Sequence, residues 1–251
     1  MVYVELIIGD EGGVMARFYR SLGLVIALLC APQIGHAAEI TQSRVTVGGV
    51  WAVLLRPAHP RASLILLTGG DGRVEIDEAG EISYGRGNQL VRTRMAYAQR
   101  GFAVLVPDRG YKLSDAVSFM ASIKRPVTVA GTSRGTQRAA EGIAAGARPD
   151  RLVLTSGFLS RESGDNYNVM SILGDPSLLP PTLVVHHRQD GCRKTAPGGV
   201  EPFLAWAKAH ARVTWLSGGE PEGDPCEARG YHGFMGIDDK VVSAIAGFAG
   251  R

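Results

Sequence analysis

The sequence has no long run of apolar residues, no internal repeat and no block of basic residues. The first absence excludes a protein with several membrane spans, and the second excludes collagen-like and coiled-coil structures, which need a sustained period. Lys and Arg total 27 against 24 Asp and Glu, and the two signs are well mixed. Proteins that bind nucleic acid concentrate positive charge in a patch or run, so we expect no nucleic-acid partner.

What is present is the composition of a globular protein. Hydrophobic residues make up 45% and charged residues 20% of the 251 residues. This apolar fraction can build a core, which distinguishes the chain from a disordered one. The length suits one large domain, or two small domains at most.

Residues 15–38 have the pattern of a secretory signal peptide. Arg17 and Arg20 precede an apolar segment, Ser21–Ala31, that is too short to cross a bilayer comfortably. Small residues ending at Ala38 offer a cleavage site. We therefore expect an exported protein, periplasmic or secreted, with a mature domain over residues 39–251; a buried N-terminal helix is the alternative.

Two features beside this segment refine the prediction. Residues 1–14 are acidic and precede the positive segment, which is unusual for an exported protein and predicts that synthesis starts at Met15. These 14 residues are therefore interpreted as an upstream extension. Leu29 stands before Cys30, where a lipoprotein signal needs a small residue, so we expect no stable membrane anchor after cleavage.

The mature chain would keep two cysteines, Cys192 and Cys226. An even pair in an oxidising compartment favours a disulfide, with two free buried thiols as the alternative.

Apolar runs typical of buried strands alternate with helical patterns along the mature chain. Continuous rather than alternating runs are typical of strands buried on both faces, so the pattern predicts an α/β fold with a mostly parallel central sheet, helices on both faces and no large lid domain. The predicted strands are Gly49–Leu55, Ser63–Leu67, Ala103–Pro107, Val127–Ala130, Leu152–Thr155, Leu183–His187 and Val213–Leu216. Helical patterns follow Asn88 and Ser114 and cover Arg134–Ala145, Glu201–His210 and Ile237–Phe248.

The strongest chemical signal is a Gly-x-Ser-x-Gly motif between a predicted strand and a predicted helix. It runs from Gly131 through Ser133 to Gly135. A serine that points out of a sheet from a strained turn needs small residues two positions away on either side, because side chains there would clash with the strand and the helix. In this context the motif resembles the nucleophile elbow of the α/β-hydrolase superfamily. The alternative is a glycine-rich turn that uses Ser133 as a helix cap.

The resemblance implies an acid and a base that follow the nucleophile in the order Ser, Asp or Glu, His. Asp190 comes just after a late predicted strand, and His232 lies between glycines just before the last helix. These positions predict Asp190 as the orienting acid and His232 as the general base. The alternatives are a turn at Asp190 and an ordinary loop histidine at His232.

A disulfide between Cys192 and Cys226 would join the loop that carries the acid to the loop that carries the base. The oxyanion hole is expected to use two backbone N–H groups, from Arg134 and Gly70. Thr68 stands where the family usually has a histidine before its glycines.

Four segments resemble exported bacterial α/β-hydrolases of undefined substrate, and the resemblance covers most of residues 50–249. They are Gly131–Thr136, Val185–Cys192, Asp224–Cys226 and Tyr231–Gly236. The resemblance implies a serine hydrolase, which needs no cofactor, but it does not select a particular ester.

We therefore expect hydrolysis of small or medium carboxylic esters by a serine esterase, with Ser156–Pro181 as a wall of an open pocket. The Arg134 side chain either faces the site, favouring an anionic substrate, or forms a structural ion pair. Two other classes stay open: a non-catalytic binding protein on this scaffold, and a metal-dependent hydrolase that uses His186 or His187. Adjacent residues on a strand point to opposite faces, so these two histidines cannot easily share an ion, and we expect no metal.

Overall fold

A computed structural model of the protein describes residues 39–251. The predicted upstream extension and the predicted signal peptide lie outside the described residues.

Within residues 39–251, eight strands form one sheet in the order β1-β2-β4-β3-β5-β6-β7-β8. β2 pairs antiparallel with β1 and with β4, and every other neighbouring pair is parallel. The sheet is therefore mostly parallel, as predicted. The strands are β1 (Ile40–Val47), β2 (Val50–Pro57), β3 (Ala62–Leu67), β4 (Phe102–Pro107), β5 (Val127–Thr132), β6 (Arg151–Thr155), β7 (Thr182–His187) and β8 (Ala211–Leu216).

Helices cover both faces of the sheet, which separates the core into two clusters of buried apolar residues. One cluster packs under α3 to α6, and the other lies under α1, α2 and α7. β3, β4, β5 and β7 are buried along their whole length, which explains their continuous apolar sequences. The helices are α1 (Gln89–Arg92), α2 (Arg94–Gln99), α3 (Leu113–Ile123), α4 (Arg134–Ala144), α5 (Val169–Leu173), α6 (Val200–Ala207) and α7 (Asp238–Ala249).

The seven predicted strands are all present, whereas β1 was not predicted. β1 is an edge strand whose residues alternate between half-buried and exposed positions along much of its length. It therefore carries little apolar sequence of its own, and the hairpin with β2 places it in the sheet.

The segment between β6 and β7 packs onto α4 and forms no separate domain. Phe158 and Leu173 are buried, and the Tyr167 hydroxyl donates a 2.8 Å hydrogen bond to Glu141 on α4. Among the helices of residues 39–251, none has the length and apolar character needed to cross a bilayer.

Candidate active site

Ser133 occupies the sharp turn between β5 and α4. Its backbone has φ +53° and ψ −125°, a conformation that a non-glycine residue adopts only when its surroundings enforce it. The Ser133 N–H donates a 3.0 Å hydrogen bond to the carbonyl oxygen of Thr155 at the end of β6. This turn sets the serine at the carboxyl edge of the sheet, directly before the first residue of α4.

The two glycines of the motif are required by close backbone approach. A Cβ on Gly131 would lie 2.5 Å from the carbonyl oxygen of Gly135. A Cβ on Gly135 would lie 2.2 Å from the carbonyl oxygen of Leu67 and 2.7 Å from that of Thr68. Both distances are far shorter than van der Waals contact, so no other residue fits without moving the elbow or the end of β3.

The predicted acid and base are in direct contact. His232 Nδ1 lies 3.0 Å from Asp190 Oδ2, and the two side chains are only 6% and 0% exposed. Asp190 Oδ1 accepts a 2.9 Å hydrogen bond from the Cys192 N–H. An ionised carboxylate that accepts from Nδ1–H fixes the imidazole tautomer with a free lone pair on Nε2.

Thr195 completes this contact, although the sequence analysis did not single it out. Its hydroxyl donates to Asp190 Oδ2 at 3.3 Å, and its oxygen lies 2.9 Å from His232 Nδ1. The side chain is fully buried. The sequence signal was only a hydroxyl five residues after the acid, which many loops contain.

A cavity of about 420 Å³ is lined by Ser133, His232 and Gly70, whereas the predicted residues Asp190 and Arg134 do not line it. Ser133 and His232 both line it, but among the described residues no hydrogen bond joins the serine hydroxyl to the imidazole. Hydrogen bonds between a nucleophile and its base are often long and tighten only when substrate binds. The other lining residues are Thr68, Gly69, Gly70, Asp71, Arg73, Tyr84, Gly85, Gly87, Asn88, Gln89, Thr132, Cys226, Glu227, Ala228 and Gly233.

The lining differs from the prediction in one respect. No lining residue comes from Ser156–Pro181, so the expectation that this segment walls the pocket is wrong. Its apolar residues pack into the core that includes α4 instead, as Leu159, Val169 and Leu173 show. The wall is built by the loops after β3 and β8.

The loop after β3 presents the predicted oxyanion donor. Gly70 lines the cavity with φ +57°, which glycine adopts without strain. Within residues 39–251, the N–H groups of Gly70 and Arg134 donate to no other protein group. Arg134 is the first residue of α4, where N–H groups lack partners within the helix. Both predicted donors are therefore free to bind an anion.

The guanidinium of Arg138 braces this loop from α4. It donates to the carbonyl oxygens of Thr68, Gly69 and Gly70, at 3.3 Å for Gly69 and 3.0 Å for Gly70. The Arg134 side chain, by contrast, is exposed and is not part of the cavity wall.

The two adjacent histidines of β7 are both buried. The His187 ring stacks on Tyr231 at 4.3 Å, and both of its nitrogens are engaged, with the Gly218 carbonyl at 2.9 Å and the Gln189 N–H at 3.1 Å. It therefore braces the loop that carries His232, and both of its nitrogens are already hydrogen-bonded. Burial lowers the pKa of His186, although the neighbouring charge of Asp190 opposes this shift.

Cys192 and Cys226 form the predicted disulfide, with their Cα atoms 4.5 Å apart. Cys192 is buried beside Asp190, whereas Cys226 is exposed at the cavity wall. The bridge thus joins the acid loop to the loop that precedes His232.

Solved structures of several hydrolases share this architecture. The esterase domain of a Rhodothermus marinus protein matches with a TM-score of 0.60 and 13% identity, over 85% of this chain and 99% of that chain. A Pyrococcus furiosus esterase matches with a TM-score of 0.58 and 14% identity, over 84% and 90%. Dienelactone hydrolase from Anabaena variabilis matches with a TM-score of 0.56 and 14% identity, over 84% and 97%.

No protein-family model and no curated protein sequence matches the chain. The structural likeness, at these identities, is a likeness of fold. With the strand order and the elbow, it establishes that the chain has the α/β-hydrolase fold.

Proposed function

We propose that the protein is an exported serine hydrolase that cleaves small or medium carboxylic esters through an acyl-enzyme. The observation that carries this proposal is the buried 3.0 Å contact of Asp190 with His232, in a site where His232 and Ser133 line one cavity. Nucleophile, base and acid follow three different strands of one sheet. Their convergence at its carboxyl edge supports a catalytic role over a structural one.

In the proposed reaction, Ser133 Oγ attacks the ester carbonyl carbon while His232 Nε2 takes the hydroxyl proton. Asp190 holds Nδ1–H and stabilises the imidazolium that forms. The tetrahedral intermediate collapses as the imidazolium protonates the departing alkoxide, which leaves the acyl group on Ser133. Water then attacks the acyl carbon while the same histidine accepts its proton. The bond between the acyl carbon and Ser133 Oγ breaks, the carboxylic acid leaves, and the histidine returns the proton to Ser133 Oγ.

The negative charge on the former carbonyl oxygen needs donors fixed before the reaction. The free N–H groups of Gly70 and Arg134 are suited to this task, and the N-terminal end of α4 adds a favourable dipole. Removal of one such donor in a serine hydrolase typically costs about 10²–10³ in kcat.

The size and polarity of the cavity support a small, soluble substrate. Its volume of about 420 Å³ is within the range of small-molecule sites. Asp71, Arg73 and Glu227 are among its lining residues, so part of its wall is charged. A long lipid chain would need an extended apolar tunnel instead.

Export belongs to the same proposal. The signal-peptide pattern of residues 15–38 and the disulfide between Cys192 and Cys226 support folding in an oxidising compartment. N-terminal sequencing of the protein recovered from a periplasmic extract would test it; a start near residue 39 is expected, and an intact N terminus would contradict it.

The test of the catalytic proposal is labelling with a fluorophosphonate probe, which reacts only with an activated serine. Wild-type protein should be labelled, and Ser133→Ala and His232→Ala should not. Asp190→Asn should react far more slowly. A short-chain p-nitrophenyl ester, assayed on the same four proteins, should show the same order of activity.

Circular dichroism of each variant shows that loss of labelling is not loss of folding. Folded wild-type protein that neither binds the probe nor hydrolyses the ester would overturn the proposal and favour a binding protein on this scaffold. Hydrolysis that survives in Ser133→Ala but stops with a chelator would favour the metal-dependent alternative.

A further inference from the structure

We propose that the side-chain amide of Asn88 is a third donor of the oxyanion hole, a catalytic role in addition to its role as a helix cap. The proposal rests on the proposed function, because an oxyanion forms only if Ser133 attacks a carbonyl. Asn88 ends the loop after β3 that also contains Gly70, and it directly precedes α1.

The orientation of the Asn88 amide is set by the helix it caps. Asn88 is the N-cap of α1, and its Oδ1 accepts a 3.2 Å hydrogen bond from the Leu90 N–H. A backbone N–H can only donate, so the atom facing Leu90 is the oxygen. Nδ2 is then on the other side of the amide, and among residues 39–251 it donates to no protein group.

This free amide nitrogen lies beside the nucleophile. The point where a Cβ on Gly69 would stand is 3.2 Å from Ser133 Cβ and 3.5 Å from Asn88 Nδ2. The two groups therefore lie near the same point beside Gly69, which carries no side chain to separate them. Asn88, Ser133 and Gly70 also line the same cavity, and Asn88 is only half-buried, so a ligand can reach the amide.

The chemistry at this position suits an amide donor. A carbonyl carbon bonded to Ser133 Oγ places its oxygen next to the serine side chain, on the side of the free donors. A neutral amide stabilises the negative charge that develops there without adding a charge that would bind an anionic product tightly. Because Oδ1 is held by the cap, Nδ2 loses little freedom when it binds the oxyanion.

Two substitutions separate this role from capping. Asn88→Asp and Asn88→Ser both keep an oxygen that can accept from the Leu90 N–H, since Asp and Ser are as good at the N-cap as Asn. Both remove the Nδ2 donor, and Asp also places a negative charge near the oxyanion. We expect kcat for a p-nitrophenyl ester to fall about 10²-fold in Asn88→Ser and further in Asn88→Asp, with KM changed less than threefold.

Affinity for a boronic acid gives an independent readout. A boronic acid forms a tetrahedral adduct with Ser133 that carries a negative charge, as the intermediate does. Its affinity should fall in parallel with kcat in both Asn88 variants, whereas the urea midpoint of unfolding should stay at the wild-type value. A purely structural residue would not produce this combination.

Asp175→Ser is the matched control. Asp175 caps the short 3-10 helix Pro176–Leu178 with the same spacing as Asn88, because its Oδ1 accepts a 2.8 Å hydrogen bond from the Ser177 N–H, and it does not line the cavity. Its substitution should leave kcat and boronic acid affinity unchanged.

The outcomes distinguish this proposal from the one on which it rests. If Asn88→Ser keeps wild-type kcat and boronic acid affinity while Ser133 still reacts with the fluorophosphonate, the Asn88 role is overturned and the serine hydrolase stands. If Asn88→Ser loses kcat only together with its urea midpoint, the residue is a cap and the proposal is again overturned. If wild-type protein shows neither labelling nor hydrolysis, both proposals fail.

Discussion

The guanidinium of Arg138 donates a 3.0 Å hydrogen bond to the carbonyl oxygen of Gly70, which ties the helix after the nucleophile to the loop that carries the predicted oxyanion donor. The same group also reaches the carbonyl oxygens of Thr68 and Gly69. One side chain thus holds three successive carbonyls of this loop. We interpret Arg138 as a positioning residue of the oxyanion hole.

Substitution of Arg138 tests this interpretation. Arg138→Met keeps most of the side-chain volume and removes all donors, so the loop should lose its fixed orientation. We expect kcat to fall at least tenfold, a loss of about 1.4 kcal/mol in transition-state stabilisation, with a smaller change in KM. Steady-state kinetics measures the fall in kcat. Hydrogen exchange over residues 68–72 measures the loss of loop order, and it should be faster than in wild-type protein.

Arg138→Lys is the informative companion. Lysine keeps the charge but has no planar fork that can serve several carbonyls at once, so an intermediate kcat is expected. If Arg138→Met kept the wild-type kinetics and hydrogen exchange, Arg138 would not be needed to order the loop after β3.

Thr195→Val should weaken the contact between Asp190 and His232. Valine has nearly the same shape as threonine, but it removes the hydroxyl that donates to Asp190 Oδ2 and lies 2.9 Å from His232 Nδ1. Hydrogen bonds to charged groups are worth about 1.5–3 kcal/mol, so kcat should fall about tenfold or more. Thr195→Ser keeps the hydroxyl and should recover most of the activity; equal kcat in the Val and Ser variants would contradict the prediction.

Gly135→Ala should destabilise the protein severely, because the new methyl group meets the carbonyl oxygens of Leu67 and Thr68. We expect a loss of about 3 kcal/mol or more in the free energy of unfolding, the upper end of overpacking costs. Gly247→Ala in α7 is the control, since nothing lies within 4 Å of its Cβ position. That variant should gain up to about 1 kcal/mol. Urea unfolding of both variants measures the two free energies of unfolding. Equal values would contradict the prediction.

The buried His186 should make the protein less stable in mild acid. Its pKa is lowered in the folded state by burial, so the unfolded chain binds the proton more readily than the folded one. The free energy of unfolding should therefore fall as the pH drops through the unfolded value of about 6.5. Urea unfolding at pH 7.5 and 5.5 should show a smaller difference for His186→Leu than for wild-type protein. An identical pH dependence in the two proteins would place the acid sensitivity elsewhere.

Much of this fold follows from local patterns in the sequence. Apolar runs in the sequence indicate β3, β4, β5 and β7, because both faces of these strands are covered. Gly131 and Gly135 could be predicted because the Gly-x-Ser-x-Gly pattern is local, although the oxygens that exclude a Cβ on Gly135 belong to Leu67 and Thr68, far away in sequence. The cap at Asn88 could also be predicted, since an asparagine before an apolar-periodic segment favours a helix start.

The remaining features depend on contacts between distant parts of the chain. β1 is recognisable only once β2 pairs with it, because an edge strand needs little apolar sequence. Arg138 reaches Thr68 to Gly70 from about seventy positions away, and a basic residue on an exposed-looking helix carries no sign of that role. The apolar residues of the segment between β6 and β7 would suit a pocket wall or a surface that packs on a helix equally well. Only the folded structure shows that they pack against α4 and do not line the cavity.

The disulfide encloses α6, β8 and the exposed loop that follows, with Cys192 and Cys226 separated by 34 positions. Asp190 stands just before this enclosed stretch, and His232 stands just after it. A single proteolytic cut in the exposed loop would divide the chain into one piece that holds Ser133 and Asp190 and another that holds His232. The bridge would keep these two pieces covalently attached, so that a nicked molecule retains all three groups in one particle and separates only when the bond is reduced.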